Sequence, residues 1–419
     1  MSKILSPFLI INSLTSSTST SSSSSSKSII GYYASWQWYD RSQLAKPQNL
    51  NFNKITRVNF AFFQSDINGN LYGTDSWADP NVLFGPYDYN PPSDAIKYCS
   101  HDSAGNKNCA THYYEQGLIS RAHVAGAEVW PSIGGWSLST TFPKIAASST
   151  SREKFANECI SLIQDYDFDG IDIDWEYPGF EEHQGTPADT QNFNLLLQEV
   201  RSKLDAHSAV TGKKYGLSAA VSCDPVQIAK YDVPFISNVL SEVNVMTYDF
   251  HGAWDTTTGV NAPLYPQGWG PADFDINSCV NNWKAAGTPA SKINIGMPFY
   301  GRSFATAKGL NETHTGADTS HWGADEGCPT YYNIKGSLSQ MTTVRDETTK
   351  TPYAYFSSGG MVSYDDTQSI CEKTEYLLDN SLNGMIIWEL SGDLMSDLTT
   401  PLLDSINSKL KNPSMSCGK

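Results

Sequence analysis

The chain has 419 residues, a formal net charge of −16 and an ordinary apolar fraction of 39%. That length allows two or three average domains, or one large α/β barrel carrying an insertion. The acidic balance argues against nucleic acid and against anionic membranes as partners, and no apolar run is long enough to span a bilayer.

At the N-terminus, Lys3 followed by Ile4 to Ile11 resembles a short secretory signal, although polar Ser6 and Asn12 interrupt it and no small-residue cleavage site follows. A low-complexity Ser/Thr tract, Thr15 to Ser26, reads as a linker. From residue 28 onward, strand-like and helix-like segments alternate. Strands are predicted at Ser28–Ala34, Ile55–Phe63, Ala127–Trp136, Phe168–Glu176, Tyr215–Cys223, Glu242–Phe250, Ile293–Gly301 and Gly384–Leu390. Helical periodicity covers Arg152–Asp165, Thr190–Ala206, Ile228–Ser241, Ile276–Ala286, Asp366–Asp379 and Leu398–Leu410. Near-continuous apolar strands separated by helices imply a parallel sheet, and eight such units imply a (β/α)8 TIM barrel. A doubly wound open sheet is the alternative, but no Gly-rich nucleotide loop follows the first strand.

Two intervals are too long for simple connections. Residues 64–118 read as a long ordered loop near the barrel mouth. The interval between strands seven and eight leaves a surplus over residues 303–362, with Tyr331-Tyr332-Asn333-Ile334 and a hairpin-like stretch around Gly359-Gly360. The expected organisation is therefore 1–27 signal-like segment and linker, 28–410 barrel, 303–362 an α+β subdomain inserted in it, and 411–419 a tail. Eight cysteines have no CxxC-type metal spacing. Cys99 and Cys109 bracket a short loop and are the favoured disulfide. A Cys328–Cys371 bridge is a second candidate, and Cys159 and Cys223 read as buried free thiols. With the sequon Asn311-Glu312-Thr313, these features point to a secreted protein.

The most informative run is Phe168-Asp169-Gly170-Ile171-Asp172-Ile173-Asp174-Trp175-Glu176, which puts four carboxylates into a strand-like segment. Alternation sets Asp172, Asp174 and Glu176 on one face and Ile171, Ile173 and Trp175 on the other. Crowded, poorly solvated carboxylates repel, so at least one should hold its proton near neutral pH. Folding gains nothing from that, whereas a reaction needing a carboxylic acid does. Three carboxylates on one face could also hold Mg²⁺ or Ca²⁺, but the acid reading is preferred and no metal or other cofactor is expected. Asp169 falls out of register and reads as a structural brace.

The run fits DxxDxDxE and resembles the motif of glycoside hydrolase family 18, the chitinase family. Four further segments agree in order: Ser132-Ile133-Gly134-Gly135-Trp136, Met246-Thr247-Tyr248-Asp249-Phe250-His251-Gly252, Met297 to Phe304, and Trp388 within Gly384 to Glu389. The resemblance spans about residues 28–410, and the insertion is similar to that of the family's deep-groove subgroup. It implies a retaining mechanism in which the substrate's own 2-acetamido oxygen attacks the anomeric carbon.

Under that resemblance Glu176 is the general acid and base, Asp174 orients the acetamido N–H, Asp172 shares a proton with Asp174, and Tyr248 holds the acetamido carbonyl. Asp249 binds a sugar hydroxyl, Met246 and Tyr32 line the acetamido pocket, and Trp388 is a flat floor for the sugar ring. Trp36, Trp136 and Trp254, with Phe62 and Gly135, extend the sugar-binding set, and Tyr300 and Arg302 shape the aglycone side. Ser132, Gly134 and Gly135 also allow close strand packing. His251 reads as a packing residue. The implied partner is chitin or chitooligosaccharide, bound by a monomer. Two rivals share parts of the pattern: a non-catalytic chitin-binding lectin and an endo-β-N-acetylglucosaminidase acting on N-glycans.

Overall fold

The computed structural model describes residues 26–418. The signal-like segment and all but the last residue of the Ser/Thr tract lie outside the described residues. Eight parallel strands form the centre: β1 Ser28–Ala34, β2 Arg57–Ser65, β3 Glu128–Gly134, β4 Gly170–Asp174, β5 Gly216–Val221, β6 Glu242–Val245, β7 Ile293–Pro298 and β8 Gly384–Trp388. Each pairs with its sequence neighbours, and β1 pairs in parallel with both β2 and β8. The sheet therefore closes, and the fold is the expected (β/α)8 barrel.

Strand alternation separates two apolar populations. Outward residues such as Ile29, Tyr33, Ile171, Ile173 and Trp175 join the main core under the helices. Inward Ile30, Tyr32, Ala61, Phe62 and Ile386 form a separate cluster inside the barrel, with Met246, Tyr248 and Trp388 packed on it. Trp175 lies nearly parallel to Phe142, 5.4 Å away, and edge-on to Phe193. This fixes the opposite face of β4 towards the lumen.

The helices begin and end where local chemistry directs. Ser148 accepts from the Ser151 N–H to cap Ser149–Tyr166, and Asp167 ends it in the left-handed region. Asp275 caps Ile276–Ala286, which stops at Gly287. The single helix expected over Ile228–Ser241 is two, Pro225–Ile228 and Val233–Val239. Pro234 lacks an N–H and fits only a first turn, and Asp232 caps the restart by accepting from Phe235.

The long interval after β2 is more structured than a loop. It contains a strand, Leu71–Gly73, a short helix, Ala78–Leu83, and a hairpin pairing Tyr98–His101 with Lys107–Ala110. Leu118–Val124 is also helical, but its apolar period is too short to register in the sequence. Between β7 and β8, the strands Arg302–Phe304, Met361–Ser363, Thr351–Phe356 and Met341–Asp346 form a separate antiparallel sheet in that spatial order. Gly359 and Gly360, both at positive φ, turn its last hairpin.

Cysteine pairing departs from expectation. Cys99–Cys109 forms, but Cys223 bonds Cys279, and Cys371 bonds Cys417 rather than Cys328. Barrel winding brings the end of β5 beside Ile276–Ala286, and the tail returns along Thr367–Asp379. Neither approach is visible as sequence spacing. Cys159 and Cys328 remain free thiols.

Candidate active site

The lumen carries a polar ladder running from base to mouth. At the base, Arg57 pairs with Glu242. Asn294 donates to Glu242 (2.7 Å) and to the side-chain oxygen of Asn244 (2.9 Å), and Asn244 donates to Asp172 (3.0 Å). Asp172 is fully buried. Its Oδ1 accepts from Ser218 (2.5 Å) and Asn244, and its Oδ2 from Tyr32 and Ser132 (2.8 Å each). Four donors from four other strands fill the acceptor positions of this carboxylate.

One pleat further up, Asp174 is buried and its Oδ1 has no protein partner. Burial, then the charges of Glu176 and Asp172, push its carboxyl well above the ordinary range. Glu176 lies just past the last paired residue of β4 and is half-buried. Burial raises its carboxyl to about 7, with the Tyr177 hydroxyl pulling it back and the charge of Asp249 adding to the rise. Although partly open to solvent, the group is surrounded by protein as densely as a core residue, and the direction of the shift follows from that packing. Ser139 fixes its backbone: Ser139 Oγ accepts from the Glu176 N–H (2.9 Å) and donates to the Gly135 and Asp174 carbonyls.

Tyr248 and Asp249 lie beyond the end of β6. Burial and the surrounding acids, Asp174 first, raise the Tyr248 hydroxyl well above its ordinary value. Gly296 makes room for its ring, since a Cβ there would meet it at 2.6 Å. Asp249 Oδ1 accepts from Tyr300 (2.6 Å) and from Arg302 Nε (2.7 Å). Arg302 also lies over the Trp254 ring at 4.9 Å.

The rings around the mouth divide by exposure. Trp36, Trp136 and Trp254 are 48%, 52% and 59% exposed, so each offers a face to solvent. Trp388 is half-buried and packs with Tyr32, Trp36 and Phe62 at 5.5–6.2 Å. Tyr32 is buried and its hydroxyl is committed to Asp172. Gly135 leaves space for Phe62, since a Cβ would sit 2.6 Å from that ring, and Gly134 lies against the Asp174 carbonyl. Met246 is half-buried in the same cluster. The residues named from the sequence thus converge on one mouth. Asp169 sits apart at the base, bonded to His123, Lys213 and the Val129 N–H. His251 is buried between Asp255 and Gln267.

Sequence reading missed Ser139, Ser218, Asn244 and His183. Lone Ser and Asn residues in apolar strands leave only a weak signal, a polar side chain where the pattern demands an apolar one. The cis peptides Ala61–Phe62, Glu176–Tyr177 and Trp388–Glu389 also ring the site without a proline to announce them. A cavity of about 950 Å³ opens at the opposite end, lined by Arg57, Glu128, Trp130 and Glu242 among others. Asp172, Asp174 and Glu176 do not line it, and the site is located by chemistry rather than by that void. Among the described residues no group of three His, Cys, Asp or Glu is arranged to hold a metal ion.

Buried carboxyls raised above their ordinary range, with exposed aromatic rings around the same mouth, suit acid-catalysed cleavage of a sugar chain, the work of a glycoside hydrolase. The chain belongs to the glycosyl hydrolases family 18, whose model matches residues 28–393. It is 32% identical to Chitinase A1 of Niallia circulans over 410 residues, 89% of this chain and 58% of that protein. It is also 32% identical to Endochitinase 1 of Metarhizium robertsii, over 91% of this chain and 85% of that one. The immunomodulatory active chitinase TsES1 of Trichuris suis has the same fold, with TM-score 0.77 at 26% identity over 92% of this chain and 100% of that one. A mutant of the Group II chitinase catalytic domain 2 of Ostrinia furnacalis, solved in complex with (NAG)5, matches with TM-score 0.77 at 26% identity over 93% and 97% of the two chains.

Proposed function

We propose that this protein is a chitinase, hydrolysing β-1,4 links between N-acetylglucosamine units with retention of configuration. Glu176 gives its proton to the leaving oxygen as the bond breaks. The acetamido oxygen attacks the anomeric carbon, forming an oxazolinium ion, and Glu176 then takes a proton from the water that opens it. Asp174 accepts the acetamido N–H and faces the positive charge that develops. Tyr248 donates to the acetamido carbonyl. Asp172 is held by its four donors and fixes the electrostatic floor beneath Asp174.

The observation that carries this reading is the unpartnered, buried Asp174 Oδ1 beside a raised Glu176. A buried polar atom without a partner costs stability, and an incoming N–H would relieve it. Trp36, Trp136 and Trp254 serve as platforms for the apolar faces of sugar rings. Residues 28–410 act as the catalytic barrel, with 303–362 walling one side of the groove. Three disulfides support a secreted enzyme, because such bonds persist in oxidising compartments.

Incubation with (GlcNAc)6, followed by NMR of the products, tests this directly. Release of the β-anomer is expected. Tight binding without cleavage would make the protein a lectin, and neither binding nor cleavage would turn attention to N-glycans. Oligomers carrying glucosamine just before the scissile bond should not be cut, and cleavage there would refute substrate assistance.

A further inference from the structure

The loop after Glu176 is more tightly held than a surface turn requires. Asp189, itself buried, accepts from the Gly179 and Thr186 N–H groups at 3.0 and 2.9 Å. Gln227 and Lys230 donate to the Pro178 and Gly179 carbonyls from the neighbouring connection. This frame presents one side chain, His183, between two parts of the site. Its Nδ1 lies 2.6 Å from the Glu176 carbonyl oxygen. A carbonyl only accepts, so Nδ1 carries the hydrogen. The other side of the imidazole packs against Trp136, ring centroids 4.4 Å apart, with Phe180 at 5.3 Å closing the cluster.

Trp136 is half exposed, and a ring with solvent on one face needs a fixed surface on the other to act as a platform. We propose that His183 is a positioning residue that braces the general acid and a sugar platform at once: its Nδ1–H fixes the Glu176 peptide, and its ring backs Trp136. The two contacts serve different steps. The hydrogen bond sets where the acid's side chain starts and so acts on turnover. The ring contact sets the tilt of Trp136 and so acts on substrate binding. The proposal rests on Glu176 as acid and Trp136 as platform.

Two variants separate the contacts. His183→Asn places an amide N–H where Nδ1 stood but removes the ring; His183→Phe keeps a ring and removes the donor. On (GlcNAc)6, His183→Phe should lower kcat about tenfold with KM held, the scale of one well-placed hydrogen bond. His183→Asn should raise KM about three- to tenfold with kcat held, because the ring behind Trp136 is lost while an N–H donor stays. Both variants at wild-type values would overturn the proposal, as would equal losses in kcat and KM in both alongside a lowered Tm. Glu176→Gln runs beside them: near-normal activity there would overturn the acid assignment and the bracing with it. An inactive Glu176→Gln with an unchanged His183→Phe would overturn the bracing alone.

Discussion

The two ends of the barrel treat buried carboxylates in opposite ways. At the base, Glu242 meets Arg57 and accepts from Asn294 and Asn383. Burial alone would raise Asp169, but His123, Lys213 and the Val129 N–H outweigh it and hold the group below the ordinary range. At the mouth, Asp174 and Glu176 form no ion pair among the described residues; burial raises both, with the charges of Glu176 and Asp172 adding to the rise at Asp174 and that of Asp249 to the rise at Glu176. Charges that are paired support the fold, and charges left unpaired are available for chemistry. The Asn294–Asn244–Asp172 chain joins the two regimes, so the stable end anchors the floor of the reactive one.

Substitutions at each end should separate the two roles. Glu176→Gln should lower turnover by about 10²–10⁴-fold or more while oligosaccharide binding survives, because a proton donor is removed with little change of shape. Single-turnover kinetics with calorimetric binding would measure both, and near-normal turnover would break the comparison. At the base, Arg57→Ala leaves Glu242 buried without its cation and should cost about 3–5 kcal/mol of stability. Chemical denaturation would read that loss, while kcat of the folded enzyme should stay at the wild-type value.

The pH responses of the two ends should run in opposite directions. Glu176 has its folded value raised to about 7 from 4.5. Its contribution to stability is full below the unfolded value and is lost as pH rises through about 7. Asp169 is lowered, so its contribution is present above its unfolded value of 3.8 and is lost as pH falls through its folded value. A Tm series should show the fall between pH 4.5 and 7 flattened in Glu176→Gln. With Glu176 as the proposed acid, kcat/KM should drop as pH rises past about 7. The smallest effect expected is none: a chelator should leave activity unchanged, and a loss restored by Ca²⁺ or Mg²⁺ would return the acids to a metal role.

What the sequence by itself determined was periodic and local. Eight apolar strands separated by helices were legible because burial on both faces of a parallel sheet leaves near-continuous apolar runs. Asp172, Asp174 and Glu176 were legible because alternation assigns a face without further information. The hairpin at Gly359-Gly360 and the Cys99–Cys109 bridge were legible because their partners are close in sequence.

The tertiary structure decided whatever barrel closure brings together. Asp172 gathers Tyr32, Ser132, Ser218 and Asn244 from four strands, at separations of 140, 40, 46 and 72 residues. Cys223 found Cys279 for the same reason, across 56 residues. No periodicity encodes such meetings, because the curvature and register of the whole sheet determine them. Which carboxyl is paired and which stays protonated depends on those neighbours, since solvation and charge are properties of the assembled surroundings rather than of the side chain.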